Sequence, residues 1–153
     1  MKSGKGLRWH RLHTVESVSE AWSIINSGVP VDICGSGDVQ PIHVNDNPDI
    51  IRLFINLGVC PDVKRGDGMA PLHIHSNPEV IRVLLEGGAD PNLPNSEGEL
   101  AIHYASDLGC LKLLLEYGAD PSNRSEEGDF AEKHFDDVEM EALIIEYRAR
   151  ESN

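Results

Sequence analysis

Aromatic side chains are scarce in this chain, at 5% of 153 residues, which points to a core of small aliphatic layers rather than a β-sandwich. Long apolar runs are missing. No stretch approaches the roughly 18 to 20 residues that a membrane-spanning helix needs, and no apolar segment follows the basic N-terminus (Lys2, Lys5, Arg8, Arg11), so a secretory signal is excluded. The three cysteines, Cys34, Cys60 and Cys110, form no CxxC pair and cannot all be bridged within the chain. A reduced, cytoplasmic protein is therefore expected. HExxH, nucleophile-elbow, phosphate-loop and EF-hand patterns are absent as well, so no catalytic residue, cofactor or metal ligand is assigned.

Positive charge is the other shortage. Thirteen bases stand against 26 acids, a net charge of −13. A field of that sign repels nucleic acid and anionic membranes and attracts basic partners. The imbalance grows along the chain: residues 1–13 carry +4, whereas residues 96–153 carry −10. Nine acids fall within residues 126–146 (Glu126, Glu127, Asp129, Glu132, Asp136, Asp137, Glu139, Glu141 and Glu146) against Lys133 as the single base.

What the chain has in abundance is repetition. Shifted by 30 residues it lies on itself: Gly28, Gly58, Gly88 and Gly118 share one column, His13, His43, His73 and His103 another, and Pro61, Pro91 and Pro121 a third. A fixed period of this size means stacked supersecondary units. The most informative column is Ser17, Asn47, Asn77, Asp107 and Asp137, all preferred helix N-caps. Ser17 and Glu20 read as a capping box, and Pro48 and Pro78 sit at the first helical position. Apolar residues follow at helical spacing, for example Val80, Ile81, Leu84 and Leu85, and a glycine then closes each helix. In the fifth copy Arg148 replaces that glycine, so the last helix is expected to run on as a polar terminal cap. Before each N-cap only about six residues remain, room for an inner helix of about one and a half turns. The units are placed at 6–35, 36–65, 66–95, 96–125 and 126–153 of a single domain, with residues 1–5 a flexible N-terminus. Trp9 and Trp22 are expected to pack over the first layer.

Asp67-Gly68-Met69-Ala70-Pro71-Leu72-His73 with Val83 to Asn92, and Glu97 to Ala105 with Leu113 to Pro121, resemble the ankyrin repeat. Its signature Thr-Pro-Leu-His-x-Ala belongs to a unit of about 33 residues; here the threonine is replaced by Gln40, Ala70 and Leu100, and each unit is three residues shorter. The resemblance implies an all-α solenoid of five helix-turn-helix units with short finger loops. It implies that the histidine column bonds backbone across adjacent repeats instead of holding a metal. It also implies binding of another protein through finger tips and inner helices. The positions matching the variable binding sites are Ser36 and Val39; Asp67 and Met69; Ser96, Glu97 and Glu99; Glu126, Glu127 and Asp129; and, on the inner helices, Asn45, His75, Ser76, Tyr104 and Ser106. A shortened inner helix should leave more of the contact to the fingers.

The expected function is non-enzymatic. The acidic C-terminal half suits a basic protein partner, and similarity to small bacterial toxin-neutralising ankyrin proteins points to a stand-alone, monomeric inhibitor that sequesters a cognate toxin. An intracellular adaptor, or a host-directed effector that docks a partner without inhibiting it, is the alternative.

Overall fold

In the computed structural model, residues 10–131 and 137–151 are described. The expectations for residues 1–5, Trp9, Glu132, Lys133 and Asp136 lie outside them. Among the described residues the helices are α1 (Val18–Asn26), α2 (Pro48–Asn56), α3 (Pro71–Ile74), α4 (Pro78–Glu86), α5 (Leu108–Glu116) and α6 (Val138–Glu151), with 3₁₀ turns at Arg11–His13, Pro41–His43 and Ala101–Tyr104. Elements α1, α2, α4, α5 and α6 are the outer helices, and their first residues fall 30 apart. The result is an all-α solenoid.

The outer helices start where the cap column places them. The Ser17 hydroxyl accepts from the Glu20 N–H and the Asp107 carboxylate from the Cys110 N–H, while Asn47, Asn77 and Asp137 accept from the N–H two residues on. Each side chain satisfies a donor that the first turn leaves without an intrahelical partner. Glu20 does not turn back to complete a capping box; its carboxylate pairs with Arg11 at 3.0 Å. At the other end Gly58 and Gly88, at φ +93° and +92°, take the left-handed conformation that stops α2 and α4. With Arg148 in that column, α6 continues for 14 residues.

The inner elements are shorter than expected: a single turn of three or four residues, mostly 3₁₀. Between His43 and the cap Asn47 only Val44, Asn45 and Asp46 remain to reverse the chain, which leaves no room for a second turn. The asparagine caps make this tight link a joint between repeats. Asn47 Nδ2 donates to the Glu16 carbonyl at 3.1 Å and Asn77 Nδ2 to the Asp46 carbonyl at 3.2 Å, each 31 residues back. Each amide therefore caps its own helix with its oxygen and ties the previous unit with its nitrogen. Asn77→Asp keeps the cap but loses the tie and sets a carboxylate beside Asp46, so urea unfolding should show a loss of about 1 kcal/mol. Asn77→Ala removes both functions and should lose about 2 kcal/mol.

The core repeats with the helices. Leu12, Ile42, Leu72 and Ile102 form one buried column, Ile50, Val80, Cys110 and Met140 a second, and Phe54, Leu84, Leu114 and Ile144 a third. Burying each large aliphatic side chain contributes about 1.5–3 kcal/mol, which is how such short helices are held. Cys110 is a packing residue here, and burial pushes its thiol up to about 11. Trp22 is 41% exposed on α1, so it does not seal the first layer as expected.

Three members of the histidine column, His13, His43 and His73, bond backbone beyond their own turn, and for His13 and His73 that backbone belongs to the next repeat, as the resemblance implies. His43 Nδ1 accepts from the Gln40 N–H, and its Nε2–H donates to the Val63 carbonyl at 2.9 Å. His73 repeats this with the Ala70 N–H and the Glu99 carbonyl, at 3.2 Å each. The ring thereby bridges its own turn to the finger beyond. No cluster of metal-ligating side chains occurs among the described residues.

Candidate protein-binding surface

The fingers that join successive units are spanned at the same place by a backbone hydrogen bond: Gly35 N–H to Val39, Arg65 to Met69, Asn95 to Glu99 and Ser125 to Asp129, at 2.7–3.0 Å. They also lean on one another. The Gly66 N–H donates to the Gly37 carbonyl at 2.7 Å, and the Glu126 N–H to the Glu97 carbonyl at 2.9 Å. Gly68, at φ +81°, lies so close to the third finger that a Cβ would stand 2.7 Å from the Ser96 nitrogen. Only glycine meets both demands.

The candidate residues differ in what their environment leaves them free to do. In the first finger Ser36 is exposed and Val39 half-buried, its carbonyl 3.1 Å from His13 Nε2. In the second, both carboxylate oxygens of Asp67 take the Arg65 guanidinium at 2.8 Å, and the Met69 N–H adds a third bond at 3.2 Å. The arginine beside it holds the Asp67 carboxyl below its usual range. This finger is electrically neutral at its tip.

The third and fourth fingers are rich in acid. Ser96, Glu97, Glu126 and Glu127 are exposed and Asp129 is half-buried. Glu97, Glu99, Ser125, Glu126, Glu127 and Asp129 together line one cleft of about 400 Å³. Every ionisable group among the described lining residues is a carboxylate. Glu99 is the exception in exposure, at 8%. Its carboxylate accepts from the Asn95 amide at 3.1 Å and from the Tyr104 hydroxyl. Asn95 Oδ1 in turn accepts from the Glu97 and Glu99 N–H groups at 2.8 and 3.0 Å. Burial, with Glu99 beside it, pushes the Tyr104 phenol up to about 12, so it remains a donor. This network sets the cleft's inner wall. Sequence reasoning did not single out Asn95, although an asparagine ahead of Ser-Glu-Gly is a turn signal.

On the inner side the structure corrects two assignments. Asn45 is buried, its amide donating to the Val15 carbonyl at 2.7 Å. His75 is also buried, and its Nε2–H donates to the Ile42 carbonyl at 2.9 Å. With an inner helix of a single turn, these positions rotate inward and tie neighbouring units instead of lining a concave surface. Ser76 and Ser106 are exposed on the links, where the Ser76 carbonyl accepts from the Cys110 thiol at 3.3 Å. Tyr104 is 38% exposed, its ring edge toward His73. A second groove, of about 910 Å³, runs between Thr14–Glu16 and Val44–Asp49. Of the sequence-derived candidates, Asn45 lies in its lining. No described helix is long and apolar enough to cross a membrane.

The family model described as ankyrin repeats matches residues 42–125, in three copies. No curated protein matches the chain.

Proposed function

The chain belongs to the ankyrin repeat family, whose repeats are protein–protein interaction modules and generally non-catalytic; from that premise we propose that it binds a basic protein and inhibits it by sequestration, as an immunity protein does a cognate toxin. One observation carries the reading: the acidic cleft between the third and fourth fingers, whose described lining residues include five carboxylates and no base. Such a surface accelerates encounter with a cationic partner, and its effect fades as salt shortens the range of the field. Ser36, Val39, Asp67, Met69, Ser96, Ser76, Tyr104 and Ser106 are peripheral contacts in this reading, and the cleft residues Glu97, Glu126, Glu127 and Asp129 its centre. The free thiols of Cys34, Cys60 and Cys110 suit a reducing cytoplasm.

Capture from native cells at low and at high ionic strength tests the proposal. A basic protein should be retained at low salt and released by about 0.5 M, where the screening length falls to a few ångströms. Its activity should fall on binding. Retention of an acidic protein, or retention indifferent to salt, would refute the electrostatic reading. A captured partner that keeps its full activity would make the chain an adaptor.

A further inference from the structure

The C-terminal end of the stack carries an apolar stripe that the acidic cleft does not explain. Val138 and Ile145 on α6 are 78% and 58% exposed, and exposed Ala142 lies between them. Positions 138, 142 and 145 follow i, i+4, i+7 and so share one helix face. The repeat register shows how unusual this is. Leu85 and Leu115, in the same column as Ile145, are each 5% exposed. In the column of Ala142, α2, α4 and α5 present Arg52, Arg82 and Lys112, all exposed cations, and α1 presents Trp22. On α6 a large aliphatic group is left in water and the base beside it is replaced by alanine. The sequence reading of this helix as a polar cap missed the stripe, because its acids lie on the flanks.

The distribution of charge along α6 indicates what covers it. Glu139 and Glu141 stand in the first turn and Arg148 and Arg150 in the last, where Arg150 also pairs with Glu146 at 2.5 Å and Arg148 donates to the Pro121 carbonyl at 2.9 Å. A second α6 laid antiparallel brings acidic first turn beside basic last turn at both ends, with Glu139 of each copy near Arg150 of the other. It also opposes the two helix dipoles favourably and lets the small Ala142 face Ile145 across the seam. A parallel arrangement would put like charges side by side.

We propose that α6 is a self-association surface, pairing antiparallel with α6 of a second copy through Val138, Ala142 and Ile145. A two-fold pairing of this kind is closed, so it gives dimers and no longer assemblies. One helix pair buries less than a standard stable interface, which makes the dimer weak. Each copy carries −13, so salt up to about 0.5 M should strengthen the pairing by screening net repulsion, opposite to its effect on a cleft-bound basic partner.

Sedimentation equilibrium of the full chain, from micromolar to millimolar concentration, tests this. The wild type should move from monomer to dimer and stop there. Ile145→Glu should weaken association about tenfold or more, with an unchanged melting curve because the side chain is exposed. Glu139→Arg and Arg150→Glu should each weaken it, and the double variant should recover it, as only the antiparallel register allows. The proposal is overturned by a wild type that stays monomeric at millimolar concentration or assembles beyond two copies. It is equally overturned by Ile145→Glu associating like wild type, or by a double variant that does not recover.

Discussion

Replacing Glu97, Glu126 and Glu127 together by lysine should slow association with the basic partner about 100-fold at low salt, while the melting temperature stays within a few degrees. All three carboxylates are exposed on the lips of the cleft, so reversal inverts the local field without touching the core. Electrostatic steering raises association rates by about 10 to 1,000-fold, and loss of steering falls mainly on the on-rate. Stopped-flow or surface-binding kinetics against ionic strength will show it, because wild type and variant should converge as salt rises. A faster off-rate alone, with on-rates equal, would place the contact elsewhere. Glu99 does not belong in this set. It anchors Asn95 and Tyr104, and its replacement would break the finger itself.

The second large effect is on acid stability. His43, His73 and His75 are held below their ordinary pKa by burial, and each ring donates to a backbone carbonyl. Burial in the folded protein disfavours their protonated forms, whereas in the unfolded chain they take up protons as the pH falls through about 6.5. Their contribution is therefore complete above that value and is withdrawn as pH drops below it, since the unfolded state then binds more protons. Each histidine removes up to about 1.4 kcal/mol per pH unit until it protonates in the native state as well. All three act in the same direction, so stability should fall as the pH drops below about 6.5. Urea midpoints at pH 7.5 and 5.5 should differ accordingly, and His75→Gln should flatten the difference. Asp46, 3.9 Å from His75 Nδ1, partly offsets the effect there.

These two expectations draw on what was legible in the sequence and what was not. The cap column was legible because Ser17, Asn47, Asn77, Asp107 and Asp137 obey a local rule, one side-chain oxygen for one exposed N–H, that needs no knowledge of the rest of the fold. The acidic cleft was legible as a density of carboxylates, and the fold brought its members together. The inner side was harder. Whether six residues make one turn or one and a half decides on which side Asn45 and His75 emerge, and that depends on the tie each makes to the unit before, a long-range fact. Glu99 carried a signal that went unread: its column mates Val39 and Met69 are apolar, as an inward-facing position would be. The stripe on α6 was hidden for the opposite reason, since Val138, Ala142 and Ile145 look like ordinary core spacing until the structure shows them exposed.

The bond from the Glu126 N–H to the Glu97 carbonyl has a consequence for how the cleft would take hold of anything. It rivets the two jaws to each other before any ligand arrives, so neither has to be drawn in, and little conformational freedom is lost on this side of the complex. Any adjustment of shape during capture must then be made by the incoming molecule, which favours a partner with a pliant basic loop over one with a flat, rigid face.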